Sequence, residues 1–128
     1  MTQTEELVTN FISLLQHEKP LLDDAIKMIT ITQQHEHKYI GGVDVKPCID
    51  SIYTLMTHVE SFTVSDIESD NECVKDVKIV LHLKYEDSKL ADCKTKKLTC
   101  RCVKEAGVRQ PRVDGIWGIN VGSFKFVD

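Results

Sequence analysis

Apolar residues recur at helical spacing in three segments of the first sixty residues. In "TQTEELVTNFISLLQHE" they share one face, and Thr2 with Glu5 has the spacing of a capping box. The segment "PLLDDAIKMI" resumes the pattern after a proline that fits the first turn of a helix. The segment "VKPCIDSIYTLMTHV" again places its apolar residues on one face. These patterns predict three helices.

The remaining segments favour strands. The stretch "ITITQQHEHKYI" is rich in β-branched residues and precedes Gly41-Gly42, which predicts a strand followed by a turn. After Glu60 the chain reads as strand and turn, and residues 77–85 alternate between apolar and mostly polar side chains, the period of a half-buried antiparallel strand. The predicted strands are "SFTVSDI", "VKDVKIVLHLKY", "KKLTCRCV" and "GIWGINVGSFKFV".

Helices first and strands afterwards predict an α+β fold, in which three N-terminal helices cover one face of a curved antiparallel sheet. The chain has 128 residues, the size of one ordinary domain, and its 41% of apolar residues suffices for a core. The segment "EAGVRQPRVDG" is too short to separate domains and is expected to join two strands. We therefore predict a single domain over residues 1–128.

The net charge and the cysteines limit the classes of partner and the cellular location that are expected. A net charge of −4 provides no excess of cations to neutralise phosphates, so nucleic acid is not an expected partner. The chain begins with "TQTEE" and contains no apolar run long enough to cross a bilayer, so a cytoplasmic protein without membrane contact is expected. Five cysteines without paired spacing indicate free, buried thiols.

The order of these elements resembles the nuclear transport factor 2-like (SnoaL-like) superfamily. The similarity runs from about Glu5 to Val127, and its most specific parts are "YIGG", "SFTVSDIES" and the segment Asp114-Gly115-Ile116-Trp117. The resemblance implies a sheet curled into a cone with a pocket in its wide end. Members include isomerases, dehydratases, epoxide hydrolases and cyclases, and also inert transport modules, usually homodimeric through the outer sheet face. The fold alone therefore does not decide function.

Two histidines are the candidate catalytic residues. On a strand, His35 and His37 would share a face with apolar Ile29 and Ile31, and this face is expected to line the pocket. A histidine there can act as general acid or base. The alternative is a solvated outer half of the strand without chemistry. Where the isomerase-like branch has its aspartate, this chain offers only Thr32, Gln33 and Gln34, and an amide cannot accept a proton at neutral pH.

Three further residues are candidate ligand contacts: Tyr53, His82 and Trp117. Trp117 can stack on a ligand, with the core or a dimer interface as the alternative. Tyr53 can present its hydroxyl to the pocket or pack with its oxygen at the surface, and for His82 the alternative is solvent or an interface. Histidines at i and i+2 on a strand can hold a metal, but zinc needs a third protein ligand and none has recognisable spacing. We therefore expect no metal and no cofactor.

Two functions remain open at this point. The first is a domain that binds a small apolar molecule in the cone pocket, with or without isomerase, dehydratase or hydrolase activity. The second is a non-catalytic homodimeric module that binds another protein through the outer sheet face. The sequence does not decide whether the chain is an enzyme.

Overall fold

The computed structural model describes residues 1–16, 22–40, 45–84 and 94–127. Helices precede strands, and the sheet is antiparallel and strongly curled, so the α+β prediction is confirmed and the shape is compatible with a cone. The elements are α1 Gln3–Leu15, α2 Leu22–Ile26, α3 Ile31–His35, a π-helical turn Glu36–Ile40, α4 Val45–Met56, β1 Val59–Asp66, β2 Val74–Leu83, β3 Thr95–Gly107, β4 Gln110–Pro111 and β5 Ile116–Val127.

Helix α1 begins with the predicted capping box. The Thr2 hydroxyl accepts a hydrogen bond from the backbone N–H of Glu5, and the Glu5 carboxylate accepts one from the backbone N–H of Thr2. These bonds satisfy N–H groups that an isolated helix end leaves unpaired. Its buried face, led by Val8, Phe11 and Leu15, packs into the same core as the sheet. The helix thus covers one face of the sheet, which we call the inner face.

Strands β1, β2 and β3 follow one another as antiparallel neighbours, and β5 pairs with β3 at its other side. In β2 the predicted alternation is confirmed, because Val77, Ile79 and Leu81 are buried on the inner face while Lys78 and Val80 are only half-buried. Directly opposite residues of paired strands share a face. The register therefore assigns each strand residue to the inner face or to the opposite, outer face.

A wide bulge interrupts the pairing of β5 with β3. Thr99 lies opposite Lys125 and Arg101 lies opposite Asn120, so residues 121–124 of β5 span the place of Cys100 alone. Extra residues on one strand bend it and change the direction of its side chains.

At the end of the bulge, the ring of Phe124 stacks on Phe11 of α1, with 6.0 Å between ring centroids. The bulge therefore brings the last part of β5 against the helical layer.

The predicted strand "ITITQQHEHKYI" is wrong. Only Ile29 pairs with the sheet, in an isolated parallel bridge to Ile119, and the chain then enters α3 and the π-helical turn. The Thr30 hydroxyl caps α3 by accepting from the Gln33 N–H at 3.1 Å. Since a helix needs partners for its first N–H groups, this local cap and the tertiary contacts of α3 outweigh the β-propensity of the segment.

The close approach of residues 29 and 30 to β5 depends on a glycine in that strand. A Cβ atom on Gly118 of β5 would lie 2.6 Å from the Cα of Thr30 and 2.7 Å from the carbonyl oxygen of Ile29. Both distances are far shorter than ordinary contacts, so only glycine lets residues 29 and 30 cross β5 this closely.

Two of these predicted features, the Gly41-Gly42 turn and one of the five cysteines, Cys93, lie outside the described residues. Among the helices that the structure does describe, none combines the length and apolar character that crossing a bilayer requires.

Candidate functional site

The structure separates the two candidate catalytic histidines. Side chains two positions apart on a helix point about 200° apart, so His35 and His37 do not share a face as they would on a strand. His35 is half-buried with its ring centroid 5.0 Å from that of Tyr39, and His37 is exposed. The shared pocket-lining face is therefore wrong, while a catalytic role for either residue remains a prediction.

The three candidate ligand contacts lie at different places. Tyr53 borders a small cavity of about 220 Å³ together with Leu15. His82 is half-buried in β2, and Trp117 is half-buried in β5 with the ammonium of Lys104 5.6 Å from its ring centroid. The structure does not bring the three together, and ligand binding by any of them remains a prediction.

A cleft of about 410 Å³ with mainly apolar walls lies between α4 and the ends of β3 and β5. We call it the apolar cleft. It is lined by Ser51, Ile52, Thr54, Leu55, His58, Leu98, Phe124, Lys125 and Phe126. Its volume lies in the range of about 300–1,000 Å³ that small-molecule sites occupy.

Helix α4 forms one wall because its residues are placed with helical period. Ser51 and Leu55 are four positions apart and therefore lie on the same side of the helix, and His58 follows one further turn along. Ile52 points further into the core and is only 6% exposed. The half-buried Leu55 is thus the large apolar side chain of α4 that remains available to a ligand.

Strands β3 and β5 form the other wall. Leu98 of β3 is buried and lies opposite Phe126 of β5, so the two share the inner face. Phe126 is 59% exposed although its ring is apolar. An aromatic ring of this size usually buries most of its surface, and the cleft is where this ring has surface left to bury.

Positive charge surrounds the mouth of the apolar cleft. The ammonium of Lys96 lies 5.3 Å from the centroid of the Phe126 ring, and Lys125 and the imidazole of His58 belong to the lining. No carboxylate contributes to the lining within the described residues. The local charge therefore favours a ligand whose polar end is acidic or neutral over one that is cationic.

Sequence reasoning missed a second polar arrangement, which is centred on a buried carboxylate. Glu105 of β3 is 4% exposed and accepts hydrogen bonds from both the backbone N–H and the hydroxyl of Thr32. The backbone N–H of Arg109 donates to the same hydroxyl at 2.7 Å, and the Arg109 guanidinium bonds Glu36 at 3.2 Å. Thr32 thus joins α3 to both β3 and the turn after it.

This arrangement acts as a clasp, because its members bond each other. Arg109 adopts a positive φ of 55°, an unusual conformation for a residue with a side chain. The sequence pattern places Glu105 in the segment "EAGVRQPRVDG" that is expected to join two strands, whereas β3 continues to Gly107 and includes it. A buried carboxylate needs such donors, and the donors fix the position of α3.

Metal and thiol chemistry find little support in the described residues. Within 1–16, 22–40, 45–84 and 94–127, no three His, Cys, Asp or Glu side chains converge in a way that would hold a metal ion. Cys100 and Cys102 are buried on the inner face, as expected. A hydrogen bond with Cys102, together with burial, raises the pKa of the Cys100 thiol, so Cys100 is a poor nucleophile.

Comparison of the chain with models of protein families, with curated proteins and with solved structures finds no match. The support for a function therefore comes from the geometry and chemistry of the chain's own residues.

Proposed function

We propose that this chain is a nuclear transport factor 2-like domain that binds a small apolar molecule, with an acidic group at one end, in the apolar cleft. The observation that carries the proposal is the cleft itself, an opening of about 410 Å³ with large apolar side chains on both walls. The order of elements and the curl of the sheet support the choice of fold family, since both are compatible with its cone.

The apolar walls supply the free energy of binding. Leu55 and Phe126 keep exposed apolar surface at the cleft, and removing such surface from water stabilises a complex by about 25 cal/mol per Å². A ligand that covers both side chains gains this term from both walls at once. A flat or polar molecule gains little of it.

The cations at the mouth set the preference for an acidic end. An ammonium near the mouth attracts a carboxylate, and the low dielectric of the apolar walls strengthens that attraction. Lys96 and Lys125 provide two ammonium groups there. A medium-chain carboxylic acid has an alkyl chain that can cover the apolar walls and a carboxylate that can approach the ammonium groups at the mouth.

We propose binding rather than a reaction at this cleft. General acid and base catalysis needs groups placed on either side of the reacting bond, and His58 carries the one imidazole among the described lining residues. The acid or base role predicted for His35 and His37 lies outside this proposal, because neither residue is part of the lining.

Isothermal titration calorimetry with dodecanoic acid, dodecanol and dodecylamine tests the proposal. The wild-type protein is expected to bind the acid most tightly and the amine least. Leu55→Trp places a larger side chain in the cleft and is expected to weaken binding of the acid at least tenfold. Leu7→Trp is the matched control, since Leu7 is also a half-buried helical leucine but borders a different cavity, near Trp117.

Two results would contradict the proposal. One is a wild-type protein that binds none of the three compounds at millimolar concentration. The other is an equal loss of binding in Leu55→Trp and Leu7→Trp, which would place the ligand elsewhere or indicate a general disturbance of the fold.

A further inference from the structure

The outer face of the sheet is basic, although the whole chain carries a net charge of −4. The register places Lys78 of β2 beside Thr99 of β3 and Lys125 of β5, and in the next row Val80 beside Lys97 and Val127. Arg101 lies on the same face in the row beyond. We define the basic face as Lys78, Lys97, Arg101 and Lys125.

The ammonium groups of the three lysines of the basic face are available to a partner. Arg101 bonds Asp76 at 3.0 Å, but within the described residues no carboxylate forms an ion pair with Lys78, Lys97 or Lys125. Elsewhere on the described surface, lysines such as Lys27 and Lys46 do pair with aspartates of their own helices. Cations are therefore concentrated on one face and left without internal partners there.

Hydrogen-bond donors accompany these charges. A polar groove of about 330 Å³ follows the bulge of β5, and Thr99, Asn120, Arg101 and Lys125 border it together with Asp76, whose carboxylate is bonded to Arg101. The hydroxyl of Thr99 and the amide of Asn120 lie beside the cations and can donate the hydrogen bonds that carboxylates accept. The face is thus suited to several carboxylates spaced along an extended chain.

We propose that the basic face binds an acidic segment of a partner protein, rich in Asp and Glu. A short peptide fits better than nucleic acid, because the net negative charge of the whole chain repels a long polyanion. In addition, the described residues that the register places on this face include no Phe, Tyr or Trp ring on which a base would stack. Lys125 also belongs to the lining of the apolar cleft, whereas Lys78, Lys97 and Arg101 do not.

The predicted homodimer through the outer face remains a prediction, and the basic face changes its expected energetics. A two-fold interface places the same patch of each copy together, so these lysines would face their counterparts. Like charges in close contact are unfavourable unless anions lie between them.

Fluorescence anisotropy with a labelled twelve-residue peptide of alternating Glu and Ser tests the inference. The peptide is expected to bind the wild-type protein at 50 mM salt and to bind more weakly at 300 mM, since exposed charges are screened. The double variant Lys78→Gln with Lys97→Gln is expected to lose about three- to tenfold in affinity, in line with two exposed charge pairs. These two lysines lie outside the described lining of the apolar cleft, so its ligand binding serves as a check on folding.

The matched control is Lys27→Gln with Lys46→Gln, which removes the same charge from two exposed positions outside the sheet. It is expected to bind the peptide as the wild type does. Equal weakening in both double variants would overturn the inference, because net charge alone would then explain binding. The absence of binding at 50 mM salt, or tighter binding of a single-stranded oligonucleotide or of phosphatidylserine vesicles, would also overturn it.

Discussion

The carboxylate of Glu105 in β3 accepts two hydrogen bonds from Thr32 in α3, one from its backbone N–H and one from its hydroxyl, across 73 positions of sequence. Glu105 therefore serves as a cap that comes from a distant strand. Since α3 has only five residues, such outside support replaces the stability that its own length does not provide.

Glu105→Ala tests the importance of this cap. The substitution leaves the Thr32 N–H and hydroxyl without their acceptor in a buried place, so we expect a loss of about 2–3 kcal/mol in the free energy of unfolding. Urea denaturation measures it. Glu68→Ala, at an exposed position of a loop, is the control and is expected to change stability by less than about 0.5 kcal/mol. Similar losses in both variants would show that the hydrogen bonds to Glu105 do not contribute to the free energy of unfolding.

The close crossing of residues 29 and 30 over β5 gives a second prediction. Gly118→Ala forces a methyl group to within 2.6–2.7 Å of the backbone of Thr30 and Ile29, so we expect a loss of about 1–3 kcal/mol. Gly122→Ala in the same strand is the control, because its added methyl would meet only the Asn120 side chain at 3.6 Å. Thermal unfolding of both variants gives the comparison. Equal melting temperatures would contradict the close approach of residues 29 and 30 to Gly118.

Acidic pH is expected to weaken the start of α1. Hydrogen bonds from the backbone N–H groups of Thr2 and then of Asp66 lower the pKa of Glu5 below its ordinary value of 4.5. A group whose pKa is lowered by folding stabilises the protein above its unfolded pKa, and this contribution disappears as the pH falls through the folded pKa. Glu5→Gln should therefore reduce stability at pH 7, and the difference from the wild type should shrink below pH 4.5.

Urea denaturation at pH 7 and at pH 3 measures this difference. Glu6→Gln is the matched control, since its exposed neighbour Glu6 accepts neither of these hydrogen bonds. A Glu5→Gln effect that is the same at both pH values would contradict a role for the carboxylate charge.

The sequence predicts those parts of the fold in which local pattern and tertiary environment agree. The alternation in β2 reports a strand with one buried face, and the paired spacing of Thr2 and Glu5 reports the start of α1. Both signals arise from residues that are close together in the chain. In these two segments, contacts with distant residues do not oppose the local preference.

Residues 31–40 are the counterexample. Their β-branched residues favour a strand, but the helix is set by contacts with residues about 70–90 positions away. The Gln33 side chain, for example, accepts from the Val121 N–H and donates to Asn120, and no local pattern reports such bonds. A local clue does exist, since Thr30 and Gln33 have the spacing of a capping box. Because residues 31–40 are helical, the strand face that His35 and His37 were predicted to share does not form.

The candidate binding residues were only partly accessible to sequence reasoning. Leu55, Leu98 and Phe126 look like ordinary core residues in the sequence, and the cleft arises from how the β5 bulge places Phe124 and Phe126 against α4. The basic face likewise depends on the register of three strands. Lysines that are scattered in the sequence meet only when that register is known.

The bridge between Ile29 and Ile119 also protects the chain from its neighbours in solution. β5 pairs with β3 along one side only, and an uncovered strand edge is a template on which another chain can add a strand. Where residues 28–30 exchange backbone hydrogen bonds with Ile119, that template is occupied. Loosening of α3 would therefore expose a surface for self-association, and aggregation is the expected fate of variants in which the clasp fails.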